Sequence, residues 1–277
     1  MFIDWLSAPL QYEFMVRGLV AAVLVGIVCA VVGTYVVLRG MAFFGDALAH
    51  TILPGIALGY IISGGARDTL FWWALGTAVL AALGIGAISK QAEVKEDTAI
   101  GIIFAGMFAL GIALISTVRS YAVDLTHFLF GDVLGVSVQS LWLIIIFGGV
   151  VLLVIAAFYK EFMTLSFDPI LAVTLRLPVG LLNNLLLALI AVTVAVSLQT
   201  VGVALMVAML VTPAATAYLL TRRLPRMMTL AMMFAALSGV IGLYLSYYLS
   251  IASGAAIVLT ATLFFLLAFL WKRMKSV

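Results

Sequence analysis

Two stretches of this chain, residues 177–221 and 227–271, contain no Asp, Glu, Lys or Arg. Each is long enough for two helices of about 20 apolar residues, the length that crosses the hydrocarbon of a bilayer. Charge-free runs of that length leave no polar face to turn toward water, so they exclude an ordinary soluble globule. Further runs cover 18–38, 69–89, 98–118 and 133–159, and another covers 40–66, interrupted only by Asp46 and His50. Five single runs and two double ones predict nine spans, or eight if one is a re-entrant or tilted half-helix. Within the double runs, breaks are predicted near Gln199–Gly202 and near Ser250–Gly254. The runs are continuous and do not alternate, which argues against an outer-membrane barrel. Composition agrees: 9% of residues are charged, against about 25% in soluble domains. The expected fold class is an all-α polytopic membrane protein, with residues 1–277 forming a single transmembrane domain.

Lys and Arg set the expected orientation. With nine spans, Arg39, Lys90, Lys95, Lys160, Arg176, Arg222, Arg223, Arg226, Lys272, Arg273 and Lys275 fall on one side. Arg17, Arg67 and Arg119 fall on the other, so the fourteen basic residues divide eleven to three. The richer side is read as cytoplasmic, with the N-terminus outside and the C-terminus inside. The net charge of +3 expresses this bias and calls for no nucleic-acid partner. The opening MFIDWLSAPLQYEF has no basic segment of the kind that begins a cleaved signal peptide. A single cysteine, Cys29, rules out a disulfide framework or a cysteine metal cage.

Catalytic signatures are missing. No glycine-rich loop ends in a Gly-Lys pair, so no P-loop binds ATP, and neither HExxH nor GxSxG occurs. The only histidines are His50 and His127. The expected task is movement of a solute across the membrane, not chemistry upon it.

Against this apolar background stands GDALAHTILPG, residues 45–55. Asp46 and His50 lie four residues apart and project from one helical face. An ionisable group at the bilayer centre costs roughly 3 kcal/mol, which makes such a pair a functional candidate. Carboxylate oxygen with imidazole nitrogen suits a divalent first-row metal such as Mn²⁺ or Zn²⁺. Two ligands are too few for a cage, but a symmetric dimer would supply two Asp and two His. The competing reading is a local Asp–His hydrogen bond, or a pair near the cytoplasmic interface beside Arg39. Pro54, Gly55 and Gly59 are expected to loosen the helix just beyond.

Two polar segments fall on the cytoplasmic side. In KQAEVKEDTA, residues 90–99, Glu96 and Asp97 suit the start of a helix. YKEFMTLSFDPILAVTLRLPV, residues 159–179, is amphipathic and bounded by Pro169 and Pro178. It reads as an interfacial helix or as a docking helix for a cytoplasmic partner. Glu161 and Asp168 within it are read as structural or partner-facing. The twelve methionines are read as filling helix interfaces and facing lipid. The small residues of VTPAATAY and SGAAIVL allow close helix packing.

LRGMAFFGDALAHTILPGIALGY resembles the signature segment of the permeases of manganese, zinc and iron ABC importers, the metal ABC-3 permease family. The likeness continues through EDTAIGIIFAGMFALGIALIS, HFLFGDVLGVS, SFDPILAVTLRLPV, VGVALMVAMLVTPAATAYLLTRRL and SIASGAAIVLTATLFF, and so runs along nearly the whole chain. It is nearest to manganese permeases of the pneumococcal type.

The resemblance implies the type II ABC importer fold in a bacterial cell membrane. It implies a homodimer, two copies of a separate ATPase docked on a coupling helix at about 160–178, and a metal-binding extracytoplasmic protein that delivers the ion. It maps the intramembrane metal ligands onto Asp46 and His50. His127 and Asp132 lie in its extracellular gate segment as weaker candidates. No cofactor is bound permanently; Mn²⁺, then Zn²⁺, then Fe²⁺ is the transported ion. The rival classes are an ion- or proton-coupled secondary transporter, an ABC importer of a metal chelate, and a membrane enzyme.

Overall fold

The computed structural model describes residues 7–63, 67–117 and 133–275, and only the backbone of residues 67 and 68. Among these residues every regular element is helical. Nine helices or helix pairs are long and apolar enough to cross a membrane, and they follow the nine predicted runs closely. The first is α1, Glu13–Leu38. The second is split into α2, Phe44–Thr51, and α3, Leu53–Ser63. α4, Arg67–Gln91, and α5, Glu96–Ser116, follow. The fifth is α6, Val138–Leu143, a single π-helical turn at Ile144–Gly148, and α7, Gly149–Ala157. Two short helices come next, α8 at Tyr159–Phe167 and α9 at Pro169–Thr174. The last four spans are α10, Val179–Val201, α11, Val203–Leu220, α12, Leu224–Leu249, and α13, Ser253–Lys275.

The charge-free double runs break where backbone freedom is greatest. Gly202 separates α10 from α11 at φ +80°, a conformation glycine adopts without strain. Ser250 ends α12 in the left-handed region at φ +52°. α1 begins earlier than the apolar run: Glu13 sits in its first turn and pairs with Arg17 one turn later.

The chain divides into two compact units. The first combines residues 1–37, 129–152 and 197–277. Its last three helices, α11, α12 and α13, pack mutually. α1 meets them along small residues. A methyl placed on Gly26 would touch Ala235, and one placed on Gly239 would touch Ala22, each at 3.3 Å. This is the four-residue spacing of small side chains by which membrane helices approach closely. Gly33 comes closer still: a methyl there would stand 1.8 Å from the Leu210 carbonyl oxygen. At one end of this unit Tyr12 meets Tyr247 with ring centroids 6.1 Å apart, and Tyr247 meets Tyr248. Such rings suit a membrane–water interface.

The second unit combines residues 38–128 and 153–196. In it α3 packs on α4 and α5, and α2 packs on α5. Gly55 and Gly59 do not loosen this bundle, as expected from sequence; they allow its closest approach. A methyl on Gly55 would lie 2.1 Å from Thr77 Oγ1 and 2.5 Å from the Trp73 carbonyl oxygen. The loosening comes from Pro54 alone. Having no N–H, it cannot bond the carbonyl four residues back, that of His50. The helix accordingly breaks at Ile52, whose N–H bonds the His50 carbonyl instead.

The expected single helix at 159–179 is two helices. Pro169 opens α9, and a residue preceding proline avoids the helical region. Asp168 is therefore extended, at φ −147° and ψ 89°, and its carboxylate accepts from the Leu171 N–H at 2.9 Å. α9 then closes in a Schellman turn. The Leu177 N–H bonds the Ala172 carbonyl at 3.1 Å and the Arg176 N–H bonds that of Val173 at 2.9 Å, with Arg176 left-handed at φ +55°.

Candidate metal site

The site lies in the second unit and grows from the link between α1 and α2. Gly40, at φ +71°, takes a left-handed backbone conformation directly after Arg39. Met41 and Phe44 are buried and anchor the link. The Phe44 N–H bonds the Met41 carbonyl at 2.9 Å, and the Ala47 N–H bonds that of Phe43 at 3.0 Å. α2 follows directly. Asp46 occupies its first turn and His50 its last. A carboxylate at the N-terminal end and an imidazole at the C-terminal end both suit the helix dipole.

Asp46 and His50 share one face, as their spacing predicts. His50 Nε2 is 3.8 Å from Asp46 Oδ1, longer than a hydrogen bond. The local Asp–His bond that would make this pair merely structural is not formed. Two donors about 2.1 Å from one tetrahedral ion stand about 3.4 Å apart. A shift of a few tenths of an ångström would let these two atoms share an ion. Both side chains are partly open, Asp46 36% and His50 28% exposed.

The ring of His50 is held by packing. Phe104 and Phe108 of α5 meet it edge-to-face, with centroids 5.9 and 5.5 Å away and interplanar angles of 66° and 83°. Phe104 and Phe108 stack on one another, and Phe43 closes on Phe104. His50 Nδ1 is buried and has no hydrogen-bond partner among the described residues. A metal-ligating imidazole usually donates that N–H to a carboxylate or carbonyl, which raises its basicity. Here the ring is aimed without being strengthened.

Along the second span Asp46 is the third residue and His50 the seventh. At 1.5 Å per residue they lie about 3 Å and about 9 Å from its start. The pair therefore sits in the first two turns, at the end that also carries Arg39, and not at mid-helix. Arg39 donates through Nη2 to Glu96 Oε1 at 3.0 Å and to Asn183 Oδ1. Burial pushes its guanidinium below the ordinary arginine value, and the adjacent Glu96 carboxylate pushes back.

Among the described residues no group of three or more His, Cys, Asp or Glu converges as a metal cage. His127 and Asp132 lie outside the described residues. The aromatic wall was not foreseen from the sequence. Its one signal was the four-residue spacing of Phe104 and Phe108, but nothing in the sequence says that α5 packs on α2. The Arg39–Glu96–Asn183 junction gave no signal, because its members are 57 and 144 residues apart.

Among the described residues, nine membrane-length apolar helices or helix pairs, one bearing an acid–imidazole pair, are the architecture of a polytopic membrane protein. The chain belongs to the ABC 3 transport family, whose model matches residues 11–272. It is 47% identical over 267 residues to the manganese transport system membrane protein MntC of Listeria monocytogenes, covering 96% of this chain and 94% of that one. It is 37% identical over 281 residues to the chelated iron transport system membrane protein YfeD of Yersinia pestis, covering 100% and 92%. Among solved structures, PsaBC from Streptococcus pneumoniae in complex with Fab superposes with a TM-score of 0.82 at 39% identity, covering 97% of this chain and 95% of that one. The chain is thus a multi-pass permease subunit of an ABC importer in a bacterial cell membrane. ATP hydrolysis belongs to a separate subunit, and a solute-binding protein delivers the cargo. The fold and family implied by the sequence motifs are the ones found.

Proposed function

We propose that this chain imports Mn²⁺ as a homodimer, with Asp46 and His50 of both copies forming one four-ligand site on the ion path. The observation that carries this reading is the half-built site. Two ligands stand 3.8 Å apart, partly exposed, with no third metal-binding side chain near them among the described residues. Beside them runs α5, only 17% of whose most apolar stretch is buried, against 72% for α1. That open apolar flank leaves room for a second copy. A two-fold axis there would double the ligand set.

Each part then has a task. Two Asp46 carboxylates offset the charge of the ion. Two His50 nitrogens favour a transition metal over Ca²⁺ and Mg²⁺, which prefer oxygen. The unassisted imidazole keeps the ion loosely held, as transport requires. Nitrogen and oxygen ligands alone do not exclude Zn²⁺, which outranks Mn²⁺ in intrinsic affinity. Manganese is preferred because the Listeria relative is named for it, with zinc second and iron third.

The segment 160–178 is the coupling element for two ATPase copies. Phe162, Leu165 and Ala172 are buried and anchor it, while Ile170 and Val173 are 80% and 64% exposed. These apolar side chains lie outside the membrane-length helices and call for a protein partner. ATP-driven closure of the ATPase pair moves this segment and switches access to the ion. No resident cofactor is required, since the ion is cargo.

Titration of the purified permease with Mn²⁺, followed by loss of the free-ion electron paramagnetic resonance signal, tests this assignment. One ion per two chains is expected. One ion per chain would dissolve the shared site.

A further inference from the structure

We propose that Arg39 is a positioning residue that links the ATPase-facing segment to the metal site, a role that rests on the reading of Asp46 and His50 as ion ligands. Three facts place it there. First, α9 runs into α10 through the Schellman turn at Arg176 and Leu177 and then Pro178, whose carbonyl accepts from the Leu182 N–H at 3.0 Å. Displacement of α9 therefore passes directly into the first turns of α10. Asn183 lies in those turns and accepts a hydrogen bond from Arg39. Second, Arg39 also donates to Glu96, in the first turn of α5. α5 carries the Phe104 and Phe108 that aim the His50 ring. Third, Arg39 is joined to α2 by only the link 40–43, which is pinned by buried Met41 and Phe44.

One guanidinium thus touches the helix that follows the coupling segment and the helix that orients a ligand, and it is bonded through a short tethered link to the helix that bears both ligands. Its side chain is 13% exposed, so water competes little for its bonds. Arginine suits such a junction because the two N–H groups of Nη2 lie fixed in the guanidinium plane and set the angle between the two acceptors, whereas the three donors of a lysine ammonium rotate freely. Nη1 makes no hydrogen bond among the described residues, so its two N–H donors remain for a new partner when α10 moves.

The test uses vesicles containing the complete importer, permease with its ATPase, supplied with the loaded binding protein. Mn²⁺ uptake and ATP hydrolysis are measured together for wild type, Arg39→Lys, Asn183→Ala and the double variant. Ions transported per ATP should fall about ten-fold in Arg39→Lys and Asn183→Ala, the ordinary scale of coupling between sites. Hydrolysis should stay within about two-fold of wild type, and the double variant should be no worse than either single one. An unchanged ratio of transport to hydrolysis, or a proportional fall in both, would overturn the proposal. Should Arg39→Lys not assemble, Asn183→Ala, which leaves the buried charge and Glu96 in place, decides alone. Asp46→Ala in the same vesicles reports separately on the ion site. Normal transport there removes the site reading, whereas the ratio for Asn183→Ala still decides the junction.

Discussion

Replacing Asp46 by alanine should reduce Mn²⁺ uptake by about 100-fold or more. Loss of a partner merely supporting a metal ligand already costs about 10–100-fold in affinity or activity, and in the proposed dimer site this change removes both carboxylates that would balance the charge of the ion. His50→Ala should behave differently. The site would keep its charge but become oxygen-only, so Mn²⁺ uptake falls while Ca²⁺ and Mg²⁺ become effective competitors. The measurement is metal uptake in cells lacking their own manganese importer, with the cognate ATPase and binding protein coexpressed and assembly of the complex checked in parallel. The 3.8 Å separation of Nε2 and Oδ1 supports this asymmetry. Neither side chain depends on the other for a hydrogen bond, so removing one does not release the other from a shared structural task. Normal uptake by both variants would return GDALAH to a turn of helix without an ion.

Gly33→Ala should produce the largest structural effect. The added methyl would sit 1.8 Å from the Leu210 carbonyl oxygen, where ordinary carbon–oxygen contacts are about 3.3 Å. The obstacle is backbone, which cannot rotate aside as a side chain can, so α1 and α11 must separate by more than 1 Å. Overpacking of this kind costs about 3 kcal/mol at the upper end of its usual range. The thermal midpoint of the purified permease should fall by roughly 10 °C. Gly76→Ala is the control. Nothing lies within 4 Å of a methyl there, and alanine is the better helix former by about 1 kcal/mol. Its midpoint should hold or rise slightly.

The spans were legible because membrane length and absence of charge leave few solutions. Even the breaks at Gly202 and Ser250 fell inside the predicted windows. What the sequence hid is the third dimension. Gly55 and Gly59 look like helix loosening until Trp73 and Thr77 of α4 are found against them. Residues 159–179 look like one amphipathic helix, because periodicity does not register the local effect of Pro169 on Asp168. Arg39 reads only as one more cytoplasmic cation, since its partners Glu96 and Asn183 come from distant segments. Asp46 and His50 were legible as a pair by their spacing, and their nearness to the Arg39 end of the span was one of the readings left open, but the exact start of the helix, at Phe44, was not legible. A run of apolar residues does not mark where its helix begins.

The most direct measurement is pulsed electron paramagnetic resonance of Mn²⁺ bound to the purified permease. Nitrogen hyperfine coupling reports an imidazole directly bonded to the ion. The account predicts that coupling in the wild type and its loss in His50→Ala, with Mn²⁺ still retained by the Asp46 carboxylates. A bound ion with no nitrogen coupling, or with coupling that survives His50→Ala, would contradict the site described above.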